Sequence, residues 1–175
     1  MRCAVSRTPF EFDQKKATET ILYLSSKLRN ADKIGICKLL YFVDKTSLEK
    51  YGRFVFGDEY CAMASGPVPS HAYDLMKAAA TEERPFRVEG YRIIPQREPN
   101  MDWLSESDVE CLDQIIHIYE DVPNWKRVQD SHDDSWKTAW DKRGEKRSAP
   151  MSLESIIEMF EDSHDLKEYV FNRDA

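Results

Sequence analysis

"KLLYFVDKTSLEKYGRFVFGDEYCAMASGPVPSHAYDLM", Lys38 to Met76, is the stretch that decides the reading of this chain. Its opening continues an apolar stripe, Ile36, Leu39, Leu40, Val43 and Tyr51, that starts after Asp32 and ends before Gly52. Asp suits a helix N-cap and Gly a helix C-cap, so a helix is expected from 32 to 51. At about 100° per residue, Lys38, Tyr41, Lys45 and Glu49 fall on the far face and Asp44 near the edge of the stripe. A carboxylate there must find donors or stay wet, so Asp44 should either accept hydrogen bonds from a neighbouring turn or face a partner. The next segment, Glu59 to Ala64, reads as a strand stopped by Gly66, Pro67 and Pro69, which form a rigid corner. Ser70 follows as the N-cap of a helix from about His71 to Ala80.

Working outward, Asp13 caps a first helix whose inward face is Ala17, Ile21, Leu24 and Leu28. "RPFRVEGYRIIP", 84–95, has two β-prone arms around Glu89-Gly90 and predicts a hairpin. Ser107 with Glu110 forms a capping box for a helix bearing Val109, Leu112, Ile115, Ile116 and Tyr119. Trp125 to Trp140 has a weaker pattern, 141–150 is a charged linker, and a last helix spans 152–170. The fold class expected is α+β: one mostly helical domain over 1–175 with a small antiparallel β element, a strand near 59–64 and a hairpin near 85–95.

The longest apolar run, "LLYFV" at 39–43, is far short of the roughly 20 residues a membrane-spanning helix needs, so no membrane association is expected. The first residues are polar where a secretory signal has its apolar core, and Cys3, Cys37, Cys61 and Cys111 form no CxxC pair. A cytoplasmic chain without disulfides, zinc or other cofactor follows as the expectation. Charge is uneven: residues 1–97 hold 16 Lys/Arg against 12 Asp/Glu, and residues 98–175 hold 9 against 20. The acidic half repels phosphate and suits a basic partner or simple solubility.

Two clusters resemble catalytic sets. Cys61 or Ser65 with His71 and Asp58 supplies a nucleophile, a base and an orienting group, but strand alternation puts Cys61, Met63 and Ser65 on the face opposite Tyr60, Ala62 and Ala64. "DSHDDSW", 130–136, sets Ser, His and Asp side by side, where neighbouring side chains diverge; a surface loop or helix cap is the expected role. Lys142, Arg143, Lys146 and Arg147 are interrupted by Asp141 and Glu145, which reads as a solvated linker.

The ordered string from Lys38 to Tyr73 resembles the Panacea domain, the SocA-like antitoxin family that includes phage-associated proteins. The residues that carry it are Lys38, Leu39, Leu40, Tyr41, Asp44, Leu48, Tyr51, Gly52, Gly57, Asp58, Tyr60, Ala62, Gly66, Pro67, Val68, Pro69 and Tyr73. "LSESDVECLDQII" and the segment with His132 and Trp136 extend the likeness, which spans about 14–160 and leaves 141–150 unassigned. The resemblance implies a non-enzymatic antitoxin that neutralises a cognate protein toxin by direct contact, with a role as adaptor to an ATP-dependent protease as a further implication. Lys38, Tyr41, Asp44 and Tyr73 are the expected exposed partner-binding residues. Tyr51, Gly52, Gly57, Asp58, Tyr60, Gly66, Pro67, Pro69, His132 and Trp136 are expected to shape the domain. Two other readings stand beside it: a hydrolase using Cys61 and His71, and a nucleic-acid-binding regulator of its own operon.

Overall fold

Helix α1 (Gln14–Lys27) begins where Asp13 Oδ1 accepts from Lys16 N at 3.0 Å, and its face Ala17, Ile21 and Leu24 is fully buried in the computed structural model, which describes residues 8–172. The reading of the N-terminus as unlike an export signal concerns residues 1–7 above all, outside the described residues. Helix α2 (Lys33–Tyr51) has the expected caps: Asp32 accepts from Gly35 N at 2.9 Å, and Gly52 closes the helix at φ 65°. It runs through the middle of the molecule against α1, a fourth helix α4 (Glu106–Tyr119) and a fifth, α5 (Asn124–Ser131). That central position buries both of its faces, so Lys38 and Tyr41 lie inside although the apolar stripe points elsewhere.

After α2 the chain forms strands β1 (Tyr60–Met63) and β2 (Gly66–Pro69), an antiparallel hairpin with Tyr60 opposite Pro69 and Cys61 opposite Val68. The Gly-Pro-Val-Pro segment is therefore a strand and not simply a corner. It is an edge strand, pairing with β1 on one side alone, and an edge tolerates prolines because their missing N–H groups leave no gap in a ladder. β5 (Ala149–Pro150) pairs with Cys61 and Ala62, which ties the end of the expected linker 141–150 into the sheet.

Helix α3 (Ser70–Ala78) starts one residue before the predicted position, with Pro69 at its cap and no side-chain bond from that residue. Asp58 caps it from outside: its carboxylate accepts from His71 N at 3.0 Å and Ala72 N at 2.8 Å. β3 (Phe86–Glu89) and β4 (Arg92–Pro95) form the predicted hairpin, with the turn at Gly90-Tyr91 because Glu89 itself pairs with Arg92. The capping box of α4 is Ser105 with Asp108 and not Ser107 with Glu110. Ser105 N donates to Asp108 Oδ2 at 2.9 Å, while Glu110 turns outward to Lys50 and Tyr51.

Beyond α5 come α6 (Asp134–Asp141), α7 (Leu153–Ile157) and α8 (Ser163–Phe171). The single helix expected over 152–170 is thus two, with Phe160 turned into the core between them. One apolar cluster extends from Ala17 in α1 to Val170 in α8. The outcome matches the expected class, a mostly helical α+β fold with small antiparallel sheets.

Candidate functional site

The polar residues of α2 expected at the surface turn inward. Lys38 and Tyr41 are each 1 % exposed and Asp44 is 0 % exposed, against the expectation that these three are open to solvent. Asp44 accepts from Val55 N at 2.7 Å and from the Tyr60 hydroxyl at 2.9 Å, so the loop and strand after α2 supply the donors its position demands. Burial pushes this carboxyl up to about 8, against the opposing pull of those two bonds. Tyr41 donates to Asp133 Oδ2 at 2.8 Å, and Lys45 Nζ reaches the same oxygen at 2.9 Å. Asp133 Oδ1 meanwhile accepts from Trp136 N at 3.0 Å, so one carboxylate caps α6 and anchors α2. Burial first, and the Asp133 charge second, raise the Tyr41 phenol well above its ordinary range. The "DSHDDSW" segment is accordingly a helix end and a helix cap, as its composition suggested.

Lys38 reaches across to the β1–β2 hairpin, where Nζ donates to Pro67 O at 2.8 Å. Burial pulls its ammonium down to about 8, and no carboxylate among the described residues is paired with it. The hairpin can lie this close because Gly66 has no side chain: at φ +99° a Cβ there would collide with Ser131 Oγ and come within 3.3 Å of His132 Cδ2 and Lys38 Cε. His132 stacks on Trp136 with ring centroids 3.8 Å apart, and the indole N–H donates to Met63 O at 2.9 Å. Burial, then the Lys38 charge, lower the imidazole below its usual value, and its Nε2 is buried without a hydrogen-bond partner. Three separated parts of the sequence thus meet at one place: Lys38 on α2, Gly66-Pro67 on β2, and Ser131 to Trp136 at the α5–α6 corner.

The residues of the hydrolase reading are committed to structure. Asp58, 1 % exposed, adds Glu59 N at 2.7 Å and His71 Nδ1 at 2.8 Å to the two amides it caps, and the His71 ring stacks on Phe12 at 4.7 Å. Cys61 Sγ lies 3.3 Å from Ser70 Oγ and is disulfide-bonded, which corrects the expectation of a chain without disulfides. Gly57, at φ +69°, allows the Glu11 carbonyl to pass where a Cβ would collide with it. Tyr51 donates to Glu110 Oε2 at 2.5 Å and Gly52 ends α2, both tying the helix end. Of the basic cluster, Arg143 lies over the Trp140 ring at 3.6 Å. No group of three or more His, Cys, Asp or Glu among the described residues could hold a metal ion.

Two buried carboxylates escaped the sequence reading. Asp108 binds Lys16 at 2.7 Å and Arg53 at 2.8 Å, and Glu19 is gripped by both nitrogens of Arg97 at 2.9 and 2.6 Å. The spacing Ser105-x-x-Asp108 was the available signal for the first; the second depends on a contact 78 residues away in sequence.

The surface above this framework is apolar and indented. Tyr73, half-buried, stands between two cavities of about 220 and 170 Å³ that share Met63, Val68 and Tyr73 as a common wall. Of the four residues expected to bind a partner, Tyr73 therefore reaches the surface, Lys38 forms the floor of the larger cavity, and Tyr41 and Asp44 are internal.

A mostly helical domain with a small sheet, whose ordered motif is spent on an internal polar framework, defines the class. The sequence model of the family described as "Antitoxin SocA-like, Panacea domain" matches residues 36–137, more than half of the chain, and the chain belongs to that family. Comparison with curated proteins and with solved structures gave no match. No helix among the described residues is long and apolar enough to cross a membrane.

Proposed function

We propose that this chain is an antitoxin that neutralises a cognate protein toxin by binding it directly. Its membership of an antitoxin-like family supports an antitoxin role in general. The observation that carries the direct-contact reading is the division of labour in the motif. Lys38, Tyr41, Asp44, Asp58 and Tyr60 are buried in a framework that holds α2, the hairpin and α3 together, and the surface they support is an apolar hollow around Tyr73. A rigid apolar hollow of this kind is suited to holding a partner's side chains. The acidic half contributes a second feature: Glu158, Glu161, Asp162, Asp165 and Glu168 are all exposed around α8, with Lys167 bound to Glu158 among them. Such a face draws a basic surface of the toxin by long-range attraction.

The test is co-expression with the product of the neighbouring reading frame. Rescue of growth and a stable complex on size-exclusion chromatography are the expected results. A neighbour that remains toxic and elutes separately would overturn the reading. The variant His71→Asn separates it from the hydrolase alternative: it removes the base while the His71 and Ala72 amides keep their bonds to Asp58, so toxin rescue should persist where hydrolysis would be lost.

A further inference from the structure

A cavity of about 220 Å³ lies between the start of α2 and the β1–β2 hairpin. Lys38 is on its floor, Cys37, Met63, Val68 and Tyr73 are in its walls, and Ile34, 46 % exposed, is at the rim. The adjoining cavity of about 170 Å³ shares Met63, Val68 and Tyr73 and adds Lys77, whose ammonium sits 5.7 Å from the centre of the Tyr73 ring. We propose that the two cavities together receive an extended segment of the protein partner, with one Asp or Glu side chain entering the larger cavity to pair with Lys38. The inference rests on the toxin-binding reading and names the chemistry of its contact.

An ammonium has three donors, and Pro67 O takes one of them at 2.8 Å. The remaining donors have no paired carboxylate among the described residues, although the group is 1 % exposed. A desolvated cation without a counter-ion is costly, and its complement is an anion brought in from outside. The apolar walls strengthen that attraction by keeping water away. The cavity is sized for a side chain, not for a helix. Two hollows with a shared wall accept alternate side chains of an extended chain, and a chain that crosses both is in the interior of its own sequence. This favours an acidic side chain over a terminal carboxylate. Pro67 and Pro69 leave β2 without those two N–H groups for strand pairing, so side chains must carry the recognition. Lys77, which lines the smaller cavity beside Tyr73, adds a second cation to that of Lys38.

The first arm of the test is an NMR titration with 4-methylpentanoate, a carboxylate on an apolar tail, against its amide. The acid should move the backbone signals of Ile34, Cys37, Val68 and Tyr73 and bind about tenfold more tightly than the amide. Lys38→Met should abolish that preference; it keeps the stem and removes a buried charge, so the variant is expected to fold. Ser65→Trp, at an exposed position on the same cavity, should block the acid while leaving Lys38 in place. In the second arm the acidic residues of the toxin are replaced singly by their amides. One replacement should weaken the complex about tenfold with the natural antitoxin and have little effect with Lys38→Met. Equal binding of acid and amide, signal changes elsewhere, or a toxin with no acidic residue coupled to Lys38 would each overturn the proposal. A toxin that never binds, with acid uptake intact, sinks the neutralisation reading and the partner proposed here; toxin binding without any preference for the acid sinks this proposal alone.

Discussion

Replacing Asp44 with Asn removes a titratable group from the centre of the molecule while retaining its shape. The Asn carbonyl can still accept from Val55 N, and its amide can donate to the Tyr60 oxygen, whose proton is then free for Leu40 O, now 3.2 Å away. The consequence is electrostatic. Burial puts the folded-state value of Asp44 at about 8, against an ordinary value of 3.8. Between these values the folded protein holds a proton that the unfolded chain has lost. Stability is therefore greatest at low pH and falls as pH rises through the window from about 4 to 8, the reverse of an ion-paired carboxylate. The slope for one proton is about 1.4 kcal/mol per pH unit, so from pH 5.5 to pH 7.5 the natural protein should lose about 3 kcal/mol relative to Asp44→Asn. Urea unfolding followed by tryptophan fluorescence at three pH values in this interval measures the difference, and other titrating groups cancel between the two proteins. A difference that stays flat, or one in which the natural protein gains with pH, would show that Asp44 is ionised in the fold and refute the reasoning.

Asp58→Ala strips two amides at the head of α3 of their acceptor and leaves His71 Nδ1 without its partner; a loss of about 2 to 3 kcal/mol in urea unfolding is expected, and a loss below about 0.5 would show that α3 is capped otherwise. Gly66→Ala forces a side chain into positive φ and against Ser131 Oγ; it should cost about 1 to 3 kcal/mol, and adding Ser131→Ala should restore part of the loss, since it relieves the collision but not the backbone. Trp136→Phe removes the bond to Met63 O, with an expected loss of about 1 to 2 kcal/mol and a change in the His132 ring signals of an NMR spectrum; unchanged ring signals would contradict the stacked arrangement.

Much of the fold is legible along the chain because its cause is local. Asp13 and Asp32 each meet an amide three residues ahead, and Gly52 ends a helix where it stands in the sequence. The order of short motif elements from Lys38 to Tyr73 was likewise enough to point to the family that matches residues 36–137. The errors have a common source. Local spacing points to Ser70 and Ser107 as caps, whereas Asp58 and the Ser105–Asp108 pair hold those positions.

Local sequence sufficed for the extent of α1 and α2 and for the hairpin near 85–95, since propensity, caps and periodicity act over three or four residues; strand β2 and the break between α7 and α8 depend on contacts made elsewhere in the fold. Which polar groups those elements would bury was decided by the tertiary structure alone. Lys38 bonds across 29 residues, Tyr41 across 92 and Trp136 across 73. Burial belongs to what packs around a side chain and not to the helix that carries it: with α4 and α1 against α2 and the hairpin and α5 against it as well, even its polar positions had to find their partners inside.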